Sequence, residues 1–350
     1  MTPRENLLRA VRFERPDYIP MSYHINSACW NNYPREALTE LVESHPFLFP
    51  NYERGTETAE TTFGNTATAG KPYVDDWGCR WETVEDGIAG VITEHLLADW
   101  NAFDDYVPPD PEVAFGTGRM DWARTAESLH RARGEGRLVS GGLQHGHTFL
   151  RLSYIRGYEN LLFDMADDEP RLHRLIEMVE AFNMAYVRRY LDLGVEWMSY
   201  PEDLGMQVGP MCSPDDFRKY IKPSYQRLMA PAREAGCIIH MHSDGDIKTL
   251  VNDLIDGGVE VINLQDLVNG IDWIAGELAG KYCIELDIDR QDVTVFGTPD
   301  QVDALVREEV EKVGSKEGGL MMIHGMYPGM PLENAKALMD AMEKYSTYYG

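Results

Sequence analysis

The stretch Cys237-Ile-Ile-His240-Met-His242-Ser-Asp244-Gly-Asp246 joins an apolar, β-branched run to a turn rich in Gly and Asp. Such a run predicts a strand. Side chains alternate across a strand, so His240 and His242 point to one face while Met241 points to the other. If this strand belongs to a parallel barrel, its C-terminal end lies at the catalytic rim. Two imidazoles at that rim would supply half of a metal site.

Apolar runs of the same kind recur along the chain and alternate with amphipathic helices, which is typical of βαβ crossovers and a parallel sheet. Pro214 after Ser213 and Pro299 after Thr298 mark two helix starts. We therefore predict an α/β fold that closes into one parallel barrel. The predicted strands are 18–24, 137–144, 196–200, 237–242, 260–265, 282–287 and 320–326, and the predicted helices lie near 149–164, 169–193, 214–235, 246–256, 298–313 and 333–346.

The region of about 46–125 is poorer in pattern, with Gly, Asp and Pro punctuation and short strands predicted around 76–82 and 90–95. We interpret it as an insertion-like elaboration of the N-terminal part of the barrel. Because one closed barrel explains the repeated spacing better than two domains do, we expect residues 1–350 to form a single domain.

Composition limits the class of protein and its partners. The net charge of -26 argues against a nucleic-acid partner, because phosphate binding needs a basic face. No apolar run reaches the roughly 18 residues of a membrane span, and the N-terminus lacks a secretory segment. The 5 cysteines form no CxxC pair and are odd in number, which makes a disulfide framework unexpected. A cytoplasmic protein with no membrane partner fits these features best.

The first candidate site is a metal centre at His240 and His242. The best third ligand is His324, which ends the predicted strand 320–326, and the best carboxylate is Glu202, which follows the strand 196–200. Zinc or a similar divalent ion prefers imidazole, and further ligands would come from neighbouring strand ends. Glu285 and Asp287 are reserve carboxylates.

A second polar group, His145 and His147, follows the glycine-containing strand 137–144. These histidines could bind substrate, donate a proton or cap the next helix, although Thr148 is the residue expected to cap that helix. Together with Glu202 they are the catalytic candidates.

Other residues near strand ends are candidates for substrate binding. Aromatic rings would supply apolar walls, and amide groups would form hydrogen bonds to a polar substrate. The chain contains no GxGxxG after a strand, no P-loop, no GxSxG and no HExxH, which disfavours nucleotide binding and serine hydrolysis. The substrate-binding candidates are Tyr23, His24, Asn26, Trp30, Trp77, Gln207 and Gln265.

Several segments, in order, resemble the uroporphyrinogen decarboxylase superfamily. The opening residues 2–20 are similar to its entry helix and first strand, Asp75-Asp-Trp-Gly78 to its "DEWG" segment and Arg156-Gly-Tyr-Glu-Asn-Leu-Leu162 to its "RGFENLL" helix. Residues 202–223, which begin Glu202-Asp-Leu-Gly-Met-Gln207, resemble its "DDLGTQ.GPLISP…FRKFIKP" pattern. The resemblance implies a (β/α)8 barrel that often forms a homodimer, and we expect a homodimer here.

This superfamily holds decarboxylases and zinc methyltransferases that work with corrinoid proteins, and the sequence departs from both. Porphyrinogen decarboxylases carry an arginine-rich loop after the first strand, whereas Met21-Ser-Tyr-His-Ile-Asn-Ser-Ala-Cys-Trp30 contains no arginine. Thiol-alkylating methyltransferases carry His-x-Cys where this chain has His240-Met-His242, and a later Cys near His324. Neutral imidazoles leave more positive charge on a metal than thiolates do, which favours polarisation of an oxygen.

The resemblance and these departures together predict a zinc-dependent O-demethylase. A metal held by His240, His242, His324 and Glu202 would bind the ether oxygen of a small methoxylated substrate, and His145 or His147 would protonate the leaving oxygen. The sequence lacks the DxHxxG corrinoid motif, so the corrinoid would arrive on a partner protein. The alternatives are a decarboxylase or metal-dependent hydrolase on the same barrel, and a non-catalytic binding protein.

Overall fold

The computed structural model describes residues 1–54 and 63–350. The predicted α/β alternation is visible in its element order. The strands are β1 (Met21–Ile25), β2 (Tyr73–Val74), β3 (Arg80–Glu82), β4 (Val91–Glu94), β5 (Ser140–Gly142), β6 (Trp197–Ser199), β7 (Glu202–Asp203), β8 (Ile238–Asp244), β9 (Val261–Gln265), β10 (Cys283–Asp287) and β11 (Leu320–Met326).

The helices fill most of the chain between these strands. They are α1 (Pro3–Arg12), α2 (Cys29–Asn32), α3 (Arg35–Ser44), α4 (Trp122–Gly134), α5 (Phe149–Arg156), α6 (Tyr158–Ala166), α7 (Pro170–Asp192), α8 (Pro214–Asp216), α9 (Lys222–Glu234), α10 (Val251–Gly257), α11 (Asp266–Asn269), α12 (Ile271–Glu277), α13 (Val293–Phe296), α14 (Pro299–Val313) and α15 (Leu332–Ser346). A π-helical turn covers Phe217–Ile221, and 3-10 turns cover Asn65–Ala67 and Trp100–Ala102.

The chain divides into two compact units. Unit 1 comprises Met1–Gly64, Glu85–Ile88 and Ile262–Gly350, and unit 2 comprises Asn65–Val84 and Ala89–Val261. The predicted elaboration of about 46–125 contributes to both units, and its residues 55–62 lie outside the described residues. A single domain over residues 1–350 stays a prediction.

In unit 1, parallel strands form the sheet. β11 lies between β1 and β10 and pairs with both in parallel, and β9 lies next to β10. Ile284 and Leu286 of β10 are fully buried, and so is Leu264 of β9. Strands that are covered on both faces need near-continuous apolar runs, which explains why these segments were recognisable in the sequence.

In unit 2, β6 lies between β5 and β8, and all three run parallel. The short strand β7 continues from the end of β6 and also pairs in parallel with β8, which sets Asp203 opposite Asp244. A separate antiparallel sheet contains β2, β3 and β4. Pairing of β7 with the end of β8 brings two acidic residues to the same edge of the sheet.

The helical segments predicted as continuous are interrupted at two places. The segment 149–164 breaks between α5 and α6 at Gly157, whose φ of 84° is a left-handed conformation. The segment 214–235 contains the π-helical turn at Phe217–Ile221 before α9. This turn comes just before Pro223, whose missing N–H removes a helical hydrogen bond.

Two further expectations concern disulfide bonds and membrane-spanning helices. All five cysteines are buried and free of disulfides within the described residues. Over residues 1–54 and 63–350, no helix has the length and apolar character needed to cross a membrane.

Candidate metal centre

Strand β8 carries His242 close to two carboxylates. The Nε2 atom of His242 lies 3.7 Å from Oδ1 of Asp203 and 3.6 Å from Oδ1 of Asp244. Asp203 belongs to β7 and Asp244 ends β8, so their proximity follows from the parallel pairing of the two strands. A histidine between two carboxylates at a strand end is a suitable start for a cation site.

The loop after β5 adds a second imidazole. His145 places its Nε2 atom 3.2 Å from Oδ1 of Asp203, and its ring centroid lies 5.9 Å from that of His242. Gly146, the next residue, adopts a φ of 71° and donates its N–H to the carbonyl of Pro201. The left-handed glycine and this hydrogen bond hold the loop against the connection between β6 and β7.

His145, Asp203 and His242 form what we call the histidine–aspartate cluster. One possible ligand atom from each residue lies within 4.8 Å of the others. The side chains of His145, Asp203 and His242 are 50%, 27% and 19% exposed, respectively, so an ion from solvent can reach them. Two imidazoles and one carboxylate are donors that suit zinc and other first-row divalent metals.

Charges within the cluster support one another. Partial burial would raise the pKa of Asp203, but the hydrogen bond from His145 and the charges of both histidines lower it overall. Partial burial would lower the pKa of His145, but the hydrogen bond and charge of Asp203, with Glu202 and Asp244, raise it overall. Asp203 is therefore held as an anion, which is the form that binds metal.

Glu202, the predicted carboxylate ligand, has a different environment from Asp203. Its Oε2 accepts the N–H groups of Thr148 and Phe149 at 2.9 and 2.8 Å, and its Oε1 accepts that of Leu150 at 3.1 Å. The hydroxyl of Tyr225 also donates to Oε2, at 2.9 Å. The carboxylate of Glu202 thus caps the N-terminus of α5 from a distant part of the sequence.

Burial gives this glutamate unusual electrostatics. Glu202 is fully buried, and loss of hydration raises its pKa to about 7 against the opposing effect of its four hydrogen bonds. The expectation that Thr148 caps α5 was wrong, because Thr148 makes no side-chain capping bond. A catalytic or metal-binding role of Glu202 stays a prediction, whereas the carboxylate that lies beside the histidines is Asp203.

His147 lies in the interior rather than at the cluster. Its Nδ1 atom is 2.7 Å from the hydroxyl of Thr148, and its ring centroid is 5.2 Å from that of Tyr225. It is fully buried, and loss of hydration lowers its pKa to about 3. His147 is therefore neutral near pH 7 and unsuited to donate a proton as imidazolium.

The three predicted histidine ligands occupy different surroundings. His240 lies on β8, with Nδ1 2.8 Å from the hydroxyl of Ser199 and its ring centroid 5.3 Å from that of Trp197. His324 belongs to unit 1, where its ring centroid lies 5.1 Å from that of Tyr23. Burial lowers the pKa of His324 to about 4. A shared site of His240, His242 and His324 stays a prediction.

The substrate-binding candidates in unit 1 are a mixture of buried and exposed side chains. Tyr23 and Gln265 are buried, whereas His24 is exposed and lies 3.1 Å from the hydroxyl of Ser22. Asn26 accepts the N–H of Ala28 at 2.8 Å, and Trp30 is half-buried. Their role in substrate binding stays a prediction.

In unit 2, Gln207 is exposed in the loop after β7, whereas Trp77 is buried. The ring of Trp77 packs against Phe182 at 4.9 Å, and the guanidinium of Arg151 lies 5.4 Å from its centroid. An apolar wall at Trp77 also stays a prediction.

One buried ion pair near α5 was not predicted. Arg151 donates to Oδ2 of Asp75 at 2.8 Å, and both side chains are essentially unexposed. Asp75 also accepts the indole N–H of Trp81 and the backbone N–H of Cys79. The first residue of the Asp75-Asp-Trp-Gly78 segment thus has a structural function that links α5 to the β2–β3 turn.

Two partners of the histidines, Asp203 and Asp244, were not predicted from the sequence. Both sit in recognisable segments, directly after Glu202 and two residues beyond His242. Alternation along β8 indicated that Asp244 shares a face with His242. No local pattern indicated that β7 pairs with the end of β8.

Comparisons with known proteins agree on the family. The sequence model of Uroporphyrinogen decarboxylase (URO-D) matches residues 74–345. The chain belongs to the uroporphyrinogen decarboxylase family. The uroporphyrinogen decarboxylase of Thermus thermophilus is 27% identical over 212 residues, which are 59% of this chain and 55% of that protein. The human enzyme of the same name is 22% identical over 250 residues, 68% of this chain and 65% of that protein.

The aligned part thus spans little more than half the length of the Thermus relative. Among solved structures, a methyltransferase from Methanosarcina mazei matches over 100% of both chains, with a TM-score of 0.67 and 19% sequence identity. This likeness concerns the fold. It confirms the predicted α/β fold class of TIM-barrel type for this member of the uroporphyrinogen decarboxylase family.

Proposed function

We propose that this member of the family is a metal-dependent methyltransferase. It would demethylate a small methoxylated substrate and pass the methyl group to a separate corrinoid protein. The observation that carries the proposal is the histidine–aspartate cluster of His145, Asp203 and His242, because it offers a divalent cation three ligands at the end of parallel strands.

The sequence of the strand β8 supports this choice within the family. Methyltransferases that alkylate thiols resemble this chain but carry a Cys where His242 stands. A site of imidazoles and a carboxylate lacks the soft thiolate donors that favour thiol activation. The fold likeness to the Methanosarcina mazei methyltransferase is consistent with methyl transfer.

The residues of the cluster would contribute to cleavage of the C–O bond by holding a cation. A divalent cation held by these three residues would supply positive charge at the ether oxygen, where negative charge would develop as the C–O bond breaks. His145, Asp203 and His242 would hold the cation, since Nε2 of His145 lies only 3.2 Å from Oδ1 of Asp203. A reduced corrinoid on the partner protein would accept the methyl group, and the oxygen would keep the bonding electron pair and take a proton from water.

A corrinoid-dependent assay tests the proposal. Purified protein, with divalent metal and reduced cobalamin or a corrinoid protein, is incubated with a panel of methoxylated aromatic compounds, and methylcobalamin is followed by its absorbance. We expect methyl transfer from at least one compound and its loss in Asp203→Asn. His173→Ala is the matched control, because His173 also lies 3.2 Å from an aspartate but outside the cluster. Absence of transfer from every compound would contradict the proposal.

Decarboxylation is the second candidate, because the family model and the named relatives are uroporphyrinogen decarboxylases. The stretch from Met21 to Trp30 contains no arginine to pair with the carboxylates of a porphyrinogen. We therefore expect no release of carbon dioxide from uroporphyrinogen. Release at a rate above that of a heat-inactivated sample would favour this candidate instead.

A metal-dependent hydrolase on the same fold remains the third candidate. Zinc-bound water with a pKa of about 7 is a competent nucleophile. Demethylation that proceeds in water without any corrinoid would favour it, so the same assay separates the two reactions.

A further inference from the structure

Two glycines lie in backbone contact just beyond the ends of β7 and β8, next to the histidine–aspartate cluster. The first, Gly205, donates its N–H to the carbonyl of Asp244 at 3.1 Å, and Asp246 donates its N–H to the carbonyl of Met206 at 2.7 Å. Both bonds extend the contact between the two segments past the last residues of the paired strands. The end of β8 is therefore held against more of the chain than the two residues of β7.

Neither glycine could carry a side chain at the present separation. A Cβ atom at Gly205 would lie 2.4 Å from the carbonyl carbon of Gly245 and 2.5 Å from the backbone nitrogen of Asp246. A Cβ atom at Gly245 would lie 2.2 Å from the carbonyl carbon of Gly205. Carbon atoms that are not bonded to each other prefer separations of about 3.5–4.0 Å, and here the crowded atoms belong to the backbone. A side chain at either position would therefore push the two segments apart by about 1 Å or more.

A displacement of this size would disrupt the cluster. Oδ1 of Asp203 lies 3.2 Å from Nε2 of His145 and 3.7 Å from Nε2 of His242. Because only one residue separates Asp203 from Gly205, a shift at the glycine reaches the aspartate directly. A functional site must be held within roughly 0.5 Å of its productive geometry. The close approach of the two glycines is thus needed to keep Asp203 beside both imidazoles.

The pairing of β7 alone provides little information about its register. The strand has two residues, Glu202 and Asp203, which pair with Ser243 and Asp244. Strands this short specify their register weakly unless a further contact fixes it. Glycine permits a closer approach of two backbones than any other residue does, so a contact between two glycines distinguishes one register from its neighbours.

We propose that Gly205 and Gly245 are positioning residues for the histidine–aspartate cluster. Their contact fixes β7 against the end of β8 and so places the carboxylate of Asp203 beside His145 and His242. The importance of the cluster for a reaction rests on the proposed function. The placement of Asp203 by the glycines depends on neither a reaction nor a metal.

Alanine variants of the full-length protein test this placement by crystallography. In Gly205→Ala and Gly245→Ala, the distance from Oδ1 of Asp203 to Nε2 of His145 should increase by about 1 Å or more. Gly209→Ala is the matched control, because the φ of 76° at Gly209 resembles the 82° at Gly245, but no described atom outside its neighbouring residues would lie within 4 Å of a Cβ atom there. Unchanged distances in the first two variants, or an equal increase in the control, overturn the proposal.

The affinity for Zn²⁺, measured by competition with a chromogenic chelator, is a second readout. Gly205→Ala and Gly245→Ala should weaken binding by at least about 10-fold, as expected for residues that orient metal ligands, and Gly209→Ala should bind as the wild type does. Wild-type affinity in both of the first two variants contradicts the positioning role. If the wild-type protein binds no Zn²⁺, the metal part of the proposed function fails, and the crystallographic distances still decide the positioning role.

Hydrogen exchange on the wild-type protein decides the case in which circular dichroism shows that the alanine variants do not fold. The N–H groups of Gly205 and Asp246 should exchange as slowly as those of β8, because both donate hydrogen bonds across the contact. Exchange of these two groups at the rate of an unstructured chain would show that the contact is not held, which overturns the proposal.

Discussion

Adjacent residues can have opposite environments in this fold, as Glu202 and Asp203 illustrate. Alternation along β7 directs one carboxylate into the interior, where it caps α5, and the other towards His145 and His242. The carboxylate of Glu202 is shielded from water and accepts hydrogen bonds from protein donors, whereas that of Asp203 is partly exposed. The first should matter for stability and the second for ion binding.

Replacement of Glu202 by Ala should therefore destabilise the protein by about 3 kcal/mol or more, because it leaves three buried N–H groups and a tyrosine hydroxyl without an acceptor. The measurement is the urea midpoint, followed by circular dichroism. Asp203→Asn is the control and should change stability by less than about 1 kcal/mol. Equal losses in the two variants would contradict this division of functions.

His147 gives a prediction for acid stability. Burial lowers its pKa to about 3, below the unfolded value near 6.5, so the unfolded chain binds a proton more readily than the folded chain does. The stability that His147 supports is fully present above about pH 6.5 and is lost as the pH falls towards 3. The loss should amount to a few kcal/mol across this window.

The measurement is the unfolding midpoint between about pH 4 and 8 for the wild type and His147→Asn. The variant should lose less of its own stability on acidification, whatever its stability at pH 7. His173→Ala, whose imidazole is exposed, should keep the wild-type slope. If the unfolding midpoint of His147→Asn falls with pH as steeply as that of the wild type, the prediction is contradicted.

At the level of elements, the N-terminal half of α5 is held from two sides. Glu202 caps its first turn, and Arg151 on the helix pairs with Asp75 from the β2–β3 segment. Arg151 also donates a hydrogen bond to Oε1 of Gln144, at 3.2 Å. These buried polar contacts orient the helix that follows the His145 loop.

Asp75→Asn should cost about 3–5 kcal/mol, because it leaves the buried guanidinium of Arg151 without its counter-charge. The double variant Asp75→Asn/Arg151→Met should lose much less than the sum of the two single losses, because it removes both charges. Urea unfolding of the four proteins of this cycle supplies the coupling free energy. A coupling near zero would show that the pair does not act as a unit.

The bounds of the elements were predictable where both faces of a strand are covered. The run 320–326 was predicted over the bounds that β11 has, because all its residues except His324 are apolar or glycine, as strands covered on both faces favour. β5 is shorter than the predicted run 137–144, since pairing with β6 covers Ser140–Gly142 alone. The interruptions at Gly157 and before Pro223 arise from backbone chemistry that helical periodicity does not report.

At the scale of the whole molecule, the net charge of -26 should oppose folding through like-charge repulsion. Salt screens exposed charges, with a Debye length of about 10 Å at 0.1 M. An increase of NaCl from about 0.05 to 0.5 M should therefore raise the thermal midpoint, because repulsion outweighs the exposed ion pairs that salt also weakens.

Differential scanning fluorimetry measures this midpoint over the salt series. KCl should give the same increase as NaCl, because screening depends on ionic strength and not on the identity of these ions. A midpoint that falls with either salt would mean that attractive pairs dominate the surface.

The sequence by itself determined the α/β fold class and the family, because apolar periodicity and ordered motifs are local properties of the chain. It also indicated His242 and His145 as candidates for a site, since His242 lies near the end of one apolar strand and His145 follows another. Only the tertiary structure decided which carboxylate joins them. The pairing of β7 with β8 is a non-local register, and a register that differs by one residue would exchange the environments of Glu202 and Asp203.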